Sequence, residues 1–176
     1  STKVYSFEID ESIFSILKKN MELNCSDDSY YLGEIGILDR KGFVDISNTN
    51  YLNAGMTKIV NVEGSQREVD TLDNVMRGVE NIALIKMDVE GFELQIIQGA
   101  KHILENQSPV IFAELATKKE FKLFKDAVSK FGYTTDRVNH AGTPTYLFQK
   151  GHISVWRKIK QSAKRLYWGM KDKLLK

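Results

Sequence analysis

The sequence predicts an α/β domain whose sheet is mostly parallel and closes with an antiparallel pair. Three observations carry this reading. The apolar run Ile82 to Met87 reads as a buried strand that stops at an acidic turn, Asp88-Val89-Glu90. Helical spacing follows at once in Phe92, Ile96, Ile97, Ala100, Ile103 and Leu104. Strand-like and helix-like segments alternate along the chain until two strand-like segments meet at its end. At 176 residues the chain has the size of one domain and can bury a proper core.

The elements follow in order. Lys3 to Phe7 reads as a strand, and Ile13, Phe14, Ile16, Leu17, Met21 and Leu23 make an apolar helical stripe over about 11–23. Tyr30 to Leu38 and Gly42 to Ser47 read as a strand and its returning hairpin arm, turned at Asp39-Arg40-Lys41-Gly42. The polar stretch 48–68 reads as an irregular excursion, and Val69 to Arg77 as a short helix capped near Asp70 or Thr71. Then come a strand at 82–87, a helix at 90–105, a strand at 109–114, a helix at 117–131, and closing strands near 133–138 and 144–149. Residues 1–150 form the domain and 151–176 a separate tail.

Asp88, Glu90 and Glu93 are thus expected at the carboxyl end of a strand and in the first turn of the next helix. In open α/β sheets that edge is where ligands bind. The plainer reading is structural: Asp88 is a good N-cap, and acids in a first turn complement the helix dipole. Gly91 lowers helix propensity and the three acids repel one another, so capping accounts for one or two of them.

Lys86-Met87-Asp88-Val89-Glu90-Gly91-Phe92-Glu93, then Gly99-Ala100, then Pro109-Val110-Ile111-Phe112-Ala113-Glu114, resembles the characteristic block of the FkbM-type methyltransferases. Val69-Asp70-Thr71-Leu72-Asp73 is similar to the family's usual lead-in, and the likeness runs from about Val4 to Phe148. The resemblance implies a class I methyltransferase fold, a Rossmann-like doubly wound sheet, with S-adenosylmethionine as cofactor. It implies O-methylation of a hydroxyl on a sugar, glycan or polyketide-like acceptor.

One part of that pattern is absent. Class I methyltransferases open with a strand and an Asp-x-Gly-x-x-x-Gly turn, and none of the twelve glycines here forms such a loop after an early apolar strand. Lys3-Val4-Tyr5-Ser6-Phe7-Glu8 resembles the family's second strand instead. The expectation is a carboxyl-terminal portion lacking its first βα unit. Removing that central strand would leave two half-sheets with open edges, unless the Glu8 strand pairs directly with the Asp88 strand. Such a piece is expected to be poorly stable, to bind cofactor weakly or not at all, and to be inactive alone.

Residue roles follow from the resemblance. Glu8, ending the second strand, would accept hydrogen bonds from the ribose hydroxyls of the cofactor; the plain alternative places it in an acidic helix start with Asp10 and Glu11. Asp88 would face the sulfonium or the incoming hydroxyl and serve as base, with Glu90 sharing that work and Glu93 orienting the turn. Glu114 would be a substrate-side partner. Metal-dependent methyltransferases hold a divalent cation with acids in this region, and Asp88, Glu90 and Glu114 could do so, but no metal is expected. His102, His140 and His152 share no metal-ligand spacing.

The tail is the other distinctive feature. Residues 151–176 carry eight Lys or Arg against Asp172 alone, a charge of +7 that leaves −5 on the remainder of a chain of net +2. Ile153, Trp156, Ile159, Ala163, Leu166, Tyr167, Met170 and Leu174 recur at helical spacing, the profile of an interfacial amphipathic helix. An anionic membrane surface is one expected partner; packing on the domain, a dimer seam and a solvated tail are the alternatives. Nucleic acid is not expected, because no recognition fold accompanies the charge. No apolar run spans a membrane, and the single Cys25 suits a reducing compartment. A cytoplasmic protein, peripheral at the membrane, is the resulting expectation. The rival to an enzyme is a non-catalytic interaction module that kept the fold and lost the cofactor loop.

Overall fold

A computed structural model describes residues 3–48, 57–60, 67–135 and 143–151. The chain runs β1 (Val4–Glu8), α1 (Glu11–Asn24), β2 (Tyr30–Glu34), β3 (Gly36–Leu38), β4 (Gly42–Asn48), β5 (Thr57–Val60), β6 (Arg67–Thr71) and α2 (Leu72–Val75). It continues through β7 (Leu84–Met87), α3 (Glu93–Gln98), α4 (Lys101–Asn106), β8 (Val110–Glu114), α5 (Lys118–Ser129), β9 (Tyr133–Thr135) and β10 (Thr145–Lys150). The amphipathic tail, apart from Gly151, lies outside the described residues, as does the turn at 139–142.

The elements form a mixed α/β fold whose backbone hydrogen bonds define three sheets. β1 pairs with β2 in parallel. A second sheet has the order β7-β8-β10-β9, with β7 and β8 parallel and β10 antiparallel to both its neighbours. The third has the order β3-β6-β4-β5. Among the described residues β1 pairs only with β2, and β7 only with β8. Direct pairing of the Glu8 strand with the Asp88 strand is therefore not what the chain does. Tyr5 and Phe7 of β1 still pack their side chains against the core beneath the second sheet.

The core comes from period-two alternation in β7, β8 and β10. Met87, Ile111, Ala113 and Phe148 point to one face, where they meet Ile96, Ile97, Ile103, Leu104, Phe124 and Val128 from α3, α4 and α5. α5 begins with a capping box, Thr117 and Glu120 satisfying each other's backbone N–H groups. It then stacks Phe124 on Phe148 with ring centroids 5.0 Å apart. α1 is started by Asp10, whose carboxylate accepts from the N–H groups of Ser12 and Ile13 at 2.9 and 3.1 Å. No residue of α1 is fully buried, and Ile16 and Leu23 of its apolar stripe are exposed.

Four expectations need correction. The anticipated hairpin between 30–38 and 42–47 does not form, because β6 inserts between β3 and β4. The anticipated helix over 69–77 starts only at Leu72; Arg67–Thr71 is the inserted strand. Thr57–Val60, placed in an irregular excursion, pairs antiparallel with β4. The anticipated helix 90–105 starts at Glu93 and breaks at Gly99-Ala100 into α3 and α4.

Gly99 has a packing reason to be glycine. A Cβ there would overlap the Leu38 carbonyl oxygen and press on Thr71 at 3.2 Å. The helix break is further tied by Asp73, which accepts from the N–H groups of His102 and Ile103 at 2.9 and 3.0 Å. Gly99→Ala is expected to destabilise the fold by about 1–3 kcal/mol, since the obstacle is backbone; a melting curve unchanged from wild type would refute this. Among the described residues no helix is long and apolar enough to cross a membrane.

Candidate functional site

The turn joining β7 to α3 is the most elaborate local structure in the domain. Glu90 has φ 51° and Gly91 φ 99°. The left-handed region is ordinary for glycine but costs a glutamate free energy, so something must hold the turn. Glu93 holds it. Its two carboxylate oxygens accept from the N–H groups of Val89 and Gly91 at 3.2 and 3.1 Å. Glu93 is 3 % exposed, and burial pushes its carboxyl above the ordinary range against the pull of those hydrogen bonds.

This locking moves the other two acids out of the helix. The residue preceding α3 is Phe92, with no side-chain cap, so Asp88 is not the N-cap that the plainer reading anticipated. Asp88 follows the last residue of β7 and stays half-exposed, its Oδ2 lying 3.3 Å from Lys86 Nζ. An ion pair this open contributes little stability. Glu90 sits exposed on the turn.

Asp88 and Glu114 come together at the carboxyl ends of the parallel neighbours β7 and β8. They share a cleft of about 270 Å³ with Lys86, Phe112, Thr143 and Thr145. Leu84, Lys86, Phe112 and Thr145 alternate along their strands with the core-facing residues and Met87 borders both, so the cleft has a largely apolar floor rimmed by Lys86, Asp88, Glu114 and the two threonines. Glu114 accepts a hydrogen bond from Thr143 Oγ1 at 3.3 Å. Glu90 does not line this cleft, and Glu8 belongs to the separate β1–β2 pair.

Glu8 ends β1 opposite Glu34 in the parallel register. One of its oxygens, Oε1, accepts from the Asp10 N–H at 2.8 Å, so Glu8 does take part in starting α1. A carboxylate has room for further donors on its other oxygen. Beside it, Arg67 lies 2.9 Å from Glu11 and 3.5 Å from Glu34, tying the β1–α1–β2 unit to β6. Among the described residues no three acids, histidines or cysteines converge as a metal cluster. A larger cleft of about 400 Å³ lies between α2 and α4, lined by Asp73, Arg77, His102 and Gln107. Asp73 and Gln107 are committed there to backbone groups of neighbouring segments.

Thr143 and Thr145 were not singled out in the sequence. The signal was their position, since β10 returns antiparallel along β8 and sets Thr145 opposite Glu114. That register has no mark in the local sequence.

Residues 1–151 match the family model described as the methyltransferase FkbM domain. The fold is similar to the crystal structure of the methyltransferase FkbM from Methylobacillus flagellatus KT, with a TM-score of 0.60 and 15 % sequence identity. That similarity covers 84 % of this chain and 36 % of the other, so the chain spans only about a third of that protein's length. No curated protein matches the chain.

Proposed function

The chain belongs to the FkbM methyltransferase family, and from that premise we propose that it carries part of an S-adenosylmethionine-dependent O-methyltransferase acting on a hydroxyl of a sugar, glycan or polyketide-like acceptor. The observation that supports this most is the meeting of Asp88 and Glu114 in one cleft at the carboxyl strand ends. The proposed sheet is doubly wound, with one further strand between β1 and β7. The separation of β1–β2 from β7–β8, while Tyr5 and Phe7 reach the same core, supports a place for it.

The residues present fit the cofactor's adenosine end. Glu8, with one oxygen engaged by Asp10 N–H, has the other for ribose hydroxyls. The glycine loop for the methionine end belongs to the proposed first βα unit. S-adenosylmethionine, when bound, supplies an activated methyl group. Asp88 takes the proton of the acceptor hydroxyl as its oxygen becomes an ether. Glu114 holds that hydroxyl in line, and the locked turn keeps Asp88 from drifting. Glu90, on the rim of the turn, assists Asp88 electrostatically.

Titration of the chain, preceded by the proposed first βα unit, with S-adenosylhomocysteine tests the cofactor role. Glu8→Ala should weaken binding at least about tenfold, the scale of losing hydrogen bonds to a charged group; unchanged affinity would remove Glu8 from the ribose site. We also place the protein in the cytoplasm, with the basic tail 151–176 drawing it to anionic membrane, each cation near the surface contributing about 1 kcal/mol. Sedimentation with anionic vesicles at low salt checks this, and equal binding after removal of 152–176 would contradict it.

A further inference from the structure

The cleft's third wall is built by a segment that lies beyond the acidic block of residues 86–114 but within the family match. Thr143-Pro144-Thr145 is pinned beside the end of β8: the Leu115 N–H donates to the Pro144 carbonyl at 2.9 Å, and the Thr145 N–H to the Thr143 carbonyl at 2.6 Å. Two hydroxyls stand in a row on this wall. Thr143 Oγ1 lies 3.0 Å from Thr145 Oγ1 and 3.3 Å from Glu114 Oε2.

Their protons can be assigned by elimination. An ionised carboxylate accepts and cannot donate, and each hydroxyl has a single proton. Thr143 must therefore donate to Glu114, and Thr145 to Thr143. The result is a directed chain, Thr145 to Thr143 to Glu114, in which each bond polarises the next. Thr145 is only 8 % exposed, so the origin of the chain is fixed inside the protein while its end opens on the cleft. Among the described residues Glu114 Oε1 accepts no hydrogen bond. The 3.3 Å link is long for an O–H···O bond, as catalytic contacts often are before substrate arrives.

Resting on the methyltransferase reading above, we propose that Thr143 is a positioning residue for methyl transfer, holding Glu114 by one oxygen so that the other receives the acceptor hydroxyl. It does not touch the transferred methyl. Its work is to restrict the Glu114 rotamer, and through it the line of attack.

The test uses the chain preceded by the proposed first βα unit, tritiated S-adenosylmethionine, and a set of methyl glycosides as hydroxyl probes. Thr143→Val preserves shape and removes the donor; it should lower kcat roughly ten- to hundredfold, the penalty of a reactant misplaced by a fraction of an ångström to one. Affinity for S-adenosylhomocysteine should stay within about twofold, since cofactor contacts are untouched. Thr143→Ser should restore most of the rate, and Thr145→Val, which removes only the first donor, should give an intermediate loss. If Thr143→Val turns over like wild type, or Thr143→Ser is as slow as Thr143→Val, the proposal is overturned. Wild type that binds S-adenosylhomocysteine yet methylates none of the glycosides also overturns it, because the wall would then face no sugar hydroxyl. Wild type that does not bind S-adenosylhomocysteine defeats the methyltransferase reading itself, and this inference with it.

Discussion

Asp88→Asn in the chain preceded by the proposed βα unit is expected to lower methyl-transfer turnover by about 10²- to 10⁴-fold, the usual range for a lost general base. The substitution keeps the shape of the residue after β7 and removes its capacity to take a proton. Asp88 is half-exposed and among the described residues pairs with Lys86 of β7 across an open ion pair, so the fold asks little of it. Melting temperature should therefore barely move. Single-turnover rates with a saturating hydroxyl acceptor check the prediction, and wild-type turnover would show that Asp88 is not the base.

Glu93→Ala is expected to act the other way round, through the fold first. Two N–H groups, of the half-buried Val89 and the exposed Gly91, lose their charged acceptor at once, and the left-handed Glu90-Gly91 pair loses its lock. The cost should be about 1–3 kcal/mol, the scale of hydrogen bonds to a charged group, since water can reach the freed Gly91 N–H. Turnover should fall with it, because Asp88 sits on that turn.

Glu93 also gives a signature in pH. Its folded carboxyl titrates above the ordinary value of 4.5 because burial penalises the charge. The folded state then holds the proton more tightly than the unfolded one. That contribution to stability is complete below the unfolded value and is lost as pH rises through the folded one. Stability of wild type relative to Glu93→Gln should thus be greater at pH 4 than at pH 7. Chemical denaturation of both proteins at the two pH values measures it, and a gap that widens with rising pH would contradict the burial argument.

What was legible in the sequence was what is local. The strand expected at 82–87, the acidic turn and the apolar face of α3–α4 follow from spacing within a short window; all three are in the structure, the strand starting two residues later at Leu84. Strand-end placement of Asp88 and Glu114 followed from the same windows. β6 was misread because its partners are distant: Val69 pairs with Gly36 on one side and Gly42 on the other. Nothing in Arg67–Thr71 announces that it splits a hairpin.

The break at Gly99 belongs to the same class. A glycine inside a helical pattern is visible, but the Leu38 carbonyl that requires it comes from another sheet. Gly91 did weaken the helical reading of 90–105, and the turn it marks is where the helix fails to start. The threonine wall was invisible because it depends on the register of β10 against β8, which only the folded chain sets.

The most direct measurement is calorimetric titration with S-adenosylmethionine of two forms, residues 1–176 and the same chain preceded by a βα unit bearing the glycine loop. We expect binding by the extended form and little or none by the shorter one, as a sheet divided between β1 and β7 implies. Absence of binding by both would contradict the cofactor reading, and equal binding by both would contradict the proposed strand between β1 and β7.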